Sequence, residues 1–462
     1  MKTICFYFEI HQLRQLKRYR FFDIGSDHYY YDDYANASAV AELAENSYVP
    51  ALTTLLDMIK ENNGDFKVAL SASGVGLEML ELYAPQVIEL LKELAKTGCC
   101  EFLCEPYSHG LSSLVSPTAF KEEVERMQRK VKELFGKQPK VLRNSGLIYS
   151  DEIGEMASSM GFKGMLAEGA KHILAWKSPH FLYNCANASG LKLLLRDFKF
   201  SDDISLRFSN PEWSEYPLFA ETYVDWIASL PQEEQIINIF MNLSAFGMAQ
   251  PLSSHILDFL KAIPAVAKER GISFSTPSEI VEKFKSVGAL EVPYPTSWMD
   301  EERDTSSWLG NTLQREAFNK LYSVAERVAL SDDKKLKQDW DYLQAAENFR
   351  FMTTKSNGII TERSIYDSPY DAFTNYMNIL GDFMARVRAQ YPEEIDNEEL
   401  SALKQVIENQ EVEIVQLEAE VEQLKTKLAA KEKRAAKKEV AEPVAEEEKP
   451  KKKCGRKPKA EK

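Results

Sequence analysis

The chain predicts an α/β fold built on a parallel, barrel-like sheet, and three observations predict it. Short β-branched or aromatic runs alternate with helix-length amphipathic stretches from Thr3 to about Ile280. Several helical stretches close on a glycine, where helix ends prefer one. Strand and helix in alternation make a parallel sheet, and about this many repeats suit a closed or nearly closed barrel. An open doubly wound sheet is the alternative.

The strand candidates, in order, are "TICFYFEI", "FKVALSAS", "CCEFLCEP", "KVLRNS", "KGMLAEG", "LKLLLRD", "IINIFMNL" and "ISFSTP". Between them lie helical patterns at 77–98, 116–136 and 253–271. The barrel is expected over 1–286. Residues 287–396 change character: "TSWMDEERDTSSWLGN" reads as loop, and helical patterns then dominate, giving a mainly helical domain packed on the barrel. From 397 to 430 a heptad sets in, with Leu400, Ile407, Ile414, Val421 and Leu428 at one position and Leu403, Gln410, Leu417 and Leu424 at its partner. Mostly β-branched residues at the first set and leucine at the second predict a parallel two-stranded coiled coil, hence a homodimer through 400–428, with Gln410 able to fix register. Residues 431–462 lack aromatics, alternate blocks of charge and are expected to be disordered.

The 462 residues, 44 % apolar and 11 % aromatic, suit a large globular core with extra segments. A net charge of −14 argues against a chain-wide nucleic-acid surface. No run of about 18 uncharged apolar residues appears and no signal-peptide core precedes the first strand, so no membrane span and a cytoplasmic location are expected. The six cysteines sit mostly in apolar strand-like runs; Cys99-Cys100 and Cys104 lack the partners of a zinc site, so no metal and no cofactor are expected.

In a parallel barrel, functional side chains gather at the carboxyl ends of the strands. Those positions hold Glu9 and His11-Gln12, then Glu105 and His109, Asn144 to Gly146, Glu168, Asp197 with Asp202-Asp203, and Asn242 to Phe246. A rim of acids suits carbohydrate chemistry, in which two carboxyl groups flank a glycosidic bond. The aromatic stretch "RYRFFDIGSDHYYYDD" (18–33) reads as an exposed loop able to stack on sugar rings.

The segments "FYFEIHQ", "ASGVGLEMLELYAP", "EFLCEPYSHGL", "RNSGLIYSDEIG", "LAEGAKHIL", "LLLRDFKFSDDISLRFS" and "FMNLSAFG" occur in order. Together they resemble the α-amylase branch of glycoside hydrolase family 57, from Met1 to about Tyr391. The resemblance implies a (β/α)7-type distorted TIM-like barrel followed by helices, and a retaining site for α-glucan such as glycogen, starch or maltooligosaccharide. Position by position it implies substrate contacts at His11 and His109, an aromatic border at Trp176, and an acid/base at Asp202, with Asp203 beside it as a substrate contact or the acid itself. Leu13 stands where the family usually has proline.

At the place of the nucleophile glutamate stands Gly146, and in "MNLSAFGMA" the residues Asn242, Ser244, Met248 and Ala249 replace an aspartate, two glutamates and a histidine. A retaining glycosidase needs its two carboxyl groups about 5 Å apart, and glycine supplies none. The expectation is therefore a hydrolytically impaired relative with a glucan-binding or regulatory role. Two alternatives are an enzyme with a substitute nucleophile (Glu105, Asp151, Glu152 or Glu168) that hydrolyses or transfers, and a structural adaptor acting through the coiled coil.

Overall fold

The computed structural model describes residues 2–355 and 364–390, with isolated positions between 405 and 421. Ten strands run through the described residues: β1 (Thr3–Ile10), β2 (Val68–Ala72), β3 (Cys100–Phe102), β4 (Val141–Arg143), β5 (Gly164–Glu168), β6 (Tyr183–Cys185), β7 (Lys192–Arg196), β8 (Ile236–Asn242), β9 (Ser273–Phe274) and β10 (Ala289–Leu290). One arc is ordered β3-β2-β1-β8, with β9 also on β1; the other is ordered β10-β6-β7-β5-β4. Every pairing is parallel except β6 with β7.

Backbone hydrogen bonds stitch the arcs into a curled, nearly closed sheet. On one side Cys104 bridges Leu142, with Arg143 N donating to Cys104 O at 2.8 Å. On the other, Asp197 N donates to Asn238 O at 2.9 Å and Asn238 Nδ2 to Leu195 O at 2.9 Å. Seven strands (β1 to β5, β7 and β8) thus go round, and helices such as Val49–Glu61, Pro85–Lys96, Pro117–Phe135 and Ile256–Glu269 cover the outside. Each shows the spacing that puts one apolar face on the sheet.

The strand period of two decides what fills the interior. Ile4, Phe6, Phe8 and Ile10 of β1 join the outer core under the helices, while Cys5 and Tyr7 join an inner cluster with Ala69, Leu103, Val141, Leu166, Leu194 and Phe240. Two residues further along each strand, the same inward parity brings Glu9, Ser71, Glu105, Arg143, Glu168, Arg196 and Asn242. An apolar floor therefore carries a buried polar layer at the carboxyl ends.

Residues 1–393 form one compact unit, barrel and helices together. Residue 110 bridges Ala345, and Ala346 N donates to His109 O at 3.2 Å, so the helical segment is tied to the loop after β3. The second unit, 394–462, holds the coiled coil and charged tail inferred from the sequence, and both lie outside the described residues apart from a few exposed helical positions, Ile414, Leu417 and Val421 among them. The aromatic loop at 18–33 is less exposed than its composition suggests. Tyr19, Tyr30 and Tyr31 are buried, with Tyr30 Oη donating to Asp382 at 2.6 Å and Tyr31 Oη to Asp339 at 2.8 Å, whereas Phe21 and Phe22 face outward.

Candidate functional site

The polar layer opens into a cleft of two compartments, the first about 460 and the second about 700 Å³, that share Asn242, Ser244, Trp298, Met299 and Arg350 as common walls. Each compartment stands over one buried arginine.

In the first, Arg143 leaves the end of β4 fully buried and spans two carboxylates. Its Nη2 donates to Glu9 Oε2 at 2.5 Å and its Nη1 to Glu105 Oε2 at 3.3 Å, and Ser71 Oγ also donates to Glu105, at 2.9 Å. Burial opposes ionisation of Glu9, but Arg143 and His109 outweigh it and hold its carboxyl below the usual range. Glu105 is pushed up to about 7 by burial, which Arg143 only partly offsets. Like charges this close cannot both be cheap, so one carboxyl keeps its proton more tightly than the other.

Above this pair stand His11, from the end of β1, and His109, from the loop after β3. Their rings stack with centroids 3.9 Å apart. His109 Nε2 lies 2.8 Å from Glu9 Oε1, and its Nδ1 lies 3.2 Å from Glu347 Oε1. His11 Nε2 lies 3.3 Å from Glu347 Oε2, and its Nδ1 is 2.6 Å from Ser73 Oγ. Burial lowers His11, while for His109 the carboxylates of Glu347 and Glu9 overcome burial and push it up to about 10. Glu347 sits on the short helix Ala346–Arg350 and is held well below the usual range by the two histidines against the cost of burial.

In the second compartment Arg196, from the end of β7, takes the corresponding place. Its Nε donates to Phe240 O at 2.8 Å, its Nη1 to Glu168 Oε2 at 3.4 Å and its Nη2 to Asp202 Oδ1. Arg303 adds a second cation, its Nη2 donating to Asp202 Oδ2 at 3.4 Å and its Nη1 to Trp298 O. Burial pushes Glu168 up to about 7, partly offset by Arg196 and Arg303. The guanidinium carbons of Arg143 and Arg196 lie 5.6 and 5.4 Å from the centre of the Trp298 ring, which thus stands between the two networks.

Gly146 follows β4 in a tight turn with φ +58°, the left-handed region that favours glycine, and Leu147 continues it at φ +52°. The space a side chain would take there is not open. A Cβ on Gly146 would lie 2.3 Å from Trp308 Cη2 and 2.7 Å from its Cζ2, and Trp308 is only 2 % exposed. The missing carboxyl group therefore does not leave open space at this strand end: an indole occupies it.

Of the residues inferred from the sequence, His11, His109, Gly146, Asn242 and Ser244 line the first compartment, and Asp202 with Ala249 the second. Asp203 does not line the cleft; it pairs with Arg207 at 2.7 Å. Trp176 is 90 % exposed and lines neither compartment, and Met248 faces solvent. Asp197 instead caps the helix Phe198–Asp202 by accepting from Phe200 N at 2.8 Å, and pairs with His180 at 2.6 Å. Glu105, Asp151, Glu152 and Glu168, the four substitute nucleophiles, are all absent from the cleft lining; Asp151 accepts from Val292 N at 2.7 Å. Sequence reasoning missed Trp298, Arg303, Trp308, Glu347 and Arg350, all from the segment after the barrel. The one signal was a pair of tryptophans in an otherwise polar loop.

Comparison with known proteins gives a consistent picture. The sequence profile of glycosyl hydrolase family 57 matches residues 5–293. A relative from Methanocaldococcus jannaschii, provisionally named an alpha-amylase, is 35 % identical over 400 residues, covering 82 % of this chain and 84 % of its own. Among solved structures, the GH57-type branching enzyme of Pyrococcus horikoshii superposes with a TM-score of 0.60 at 13 % identity, covering 87 % of this chain and 94 % of its own. The α-amylase AmyC of Thermotoga maritima gives 0.58 at 12 %, with 87 % and 96 % covered. The 4-alpha-glucanotransferase of Thermococcus litoralis gives 0.55 at 16 %, covering 82 % of this chain; the chain spans only 57 % of that enzyme's length. At these identities the structures speak for the fold alone.

Proposed function

The chain belongs to glycosyl hydrolase family 57, and from that premise we propose that it is an α-amylase-like protein that engages α-glucan without hydrolysing it by the retaining double displacement. One observation carries this: the place of a nucleophile carboxylate is a left-handed glycine whose side-chain space is filled by buried Trp308. The polar cleft favours sugar recognition, since buried carboxylates, histidines and arginines beside Trp298 offer donors, acceptors and an aromatic wall. Asp202 is the acid/base counterpart, held by Arg196 and Arg303. His11 and His109 are the substrate-facing histidines of this reading, and exposed Trp176 with buried, Arg207-paired Asp203 its outlying contacts.

The same reading has the protein in the cytoplasm, which the unpaired Cys5, Cys99, Cys100, Cys104 and Cys185 support. It has the chain dimeric through 400–428, which the heptad pattern supports. Native electrophoresis through gels containing glycogen or amylose tests the binding half: retardation is expected, and unaltered mobility at high glucan defeats it. Incubation with maltoheptaose tests the other half, and any hydrolysis or disproportionation product that disappears in Asp202→Asn favours the active alternative. Sedimentation of the full chain beside a chain ending near Tyr391 tests the dimer.

A further inference from the structure

We propose that His11, His109 and Glu347 form a binding site for one divalent transition-metal ion of the zinc class, with a coordination position left open to the cleft. The ligand atoms of the three residues all lie within 4.8 Å of one another. His11 Nε2 and Glu347 Oε2 are 3.3 Å apart, and His109 Nδ1 and Glu347 Oε1 are 3.2 Å apart. Ligands at 2.0–2.1 Å around a tetrahedral ion are spaced by about 3.3 Å; the two short separations are close to that and run to different oxygens of Glu347, which thus has one oxygen beside each ring.

Two further features point at an ion. His109 is 6 % exposed, yet its Nδ1 has no hydrogen-bond partner among the described residues, although Glu347 lies close by. His109 Nε2 lies 2.8 Å from Glu9 Oε1 and 3.0 Å from Arg143 Nη1, so its outer nitrogen faces the barrel floor while Nδ1 is turned to Glu347. A carboxylate beside the outer nitrogen is the setting in which metal-ligating imidazoles are oriented, here with a guanidinium next to it. His11 is braced in the same way by Ser73 Oγ at 2.6 Å.

The backbone holds His109 at φ +55°, a costly conformation for a non-glycine residue, and the bond from Ala346 N to His109 O locks the loop to the helix that carries Glu347. Two imidazoles and one carboxylate suit zinc and its first-row neighbours over magnesium or calcium, and three protein ligands leave a place for water or a sugar hydroxyl.

The test needs no glucan, so failure of the glucan reading leaves it standing. Full-length protein is stripped with chelator, titrated with ZnCl2 by calorimetry, and analysed for metal after desalting. One equivalent per chain is expected. Glu347→Gln and His11→Ala should lose it, Glu9→Gln should weaken it about 10–100-fold, and His255→Gln, an exposed histidine elsewhere, should keep it. Wild type is also loaded with Co2+, whose visible absorption should report nitrogen and oxygen ligands, so the proposal stays testable if Glu347→Gln is unfolded. Folded wild type that takes up no zinc at about 50 µM, zinc uptake unchanged in both triad variants, or preference for Mg2+ over Zn2+ each overturns it.

Discussion

The two compartments of the cleft share a plan as far as Trp298 and part company beyond it. In each, an arginine from the end of a strand is buried between two acids, Arg143 between Glu9 and Glu105, Arg196 between Glu168 and Asp202. The helical segment then completes each in an opposite sense. It gives the second compartment another cation, Arg303, and the first another anion, Glu347. In the second the added cation sits on Asp202, whereas in the first the added carboxylate is met by His11 and His109, with Arg350 in the wall of both. A parallel barrel can thus repeat one polar motif twice around its rim and obtain two different chemistries from what is laid across the top.

The largest effect that would break this comparison is on stability. Arg143→Met strands two buried carboxylates and should cost about 3–5 kcal/mol in urea unfolding, while Arg196→Met should cost less, about 2–3 kcal/mol, because Arg303 still serves Asp202. Equal losses would mean that the two networks are not differently closed. Next comes the pH dependence of the second compartment. Glu168 titrates near 7 in the fold and near 4.5 unfolded, so the folded chain holds that proton more tightly between those values. The stability it contributes is fully present below about pH 4.5 and is lost as pH rises from there through 7, on the order of 3 kcal/mol in all. Comparing the pH profile of unfolding in wild type and Glu168→Gln should show that slope removed from the variant.

Smaller still, Gly146→Ala should destabilise by about 1–3 kcal/mol, through the left-handed backbone and the contact with Trp308. A neutral result would mean that the indole yields easily. Smallest is Trp176→Ala, which should alter stability by less than about 0.5 kcal/mol because the ring is exposed; reduced glucan retardation in the same variant would extend the cleft outward to it.

The barrel was legible because its signals are local. Alternating runs, closing glycines and inward parity along a strand place Glu9, Glu105, His11, His109 and Asp202 at one end without any knowledge of the third dimension. Arg143 and Arg196 had a signal too, a charged residue ending an apolar run ("KVLR", "LLLR"), which reads as a buried ion pair only once the opposite acid is known. Glu347 and Trp308 had none, since they reach the cleft by tertiary packing from more than 150 residues away from Gly146 or His109. The segment "TSWMDEERDTSSWLGN" reads as loop by composition, and it is one in large part, yet both of its tryptophans are structural parts of the cleft. Asp202 and Asp203 were inseparable in sequence because the helical turn between them, not their chemistry, decides which one faces Arg196.

The contact between Gly146 and Trp308 acts as a ratchet. A side chain added at 146 alone meets a rigid indole, and trimming Trp308 alone leaves a cavity worth about 3–5 kcal/mol in the core. Neither single change is neutral, so a larger side chain fits at this strand end at least cost when both positions change together. Any attempt to place a carboxylate there has to begin with the pair.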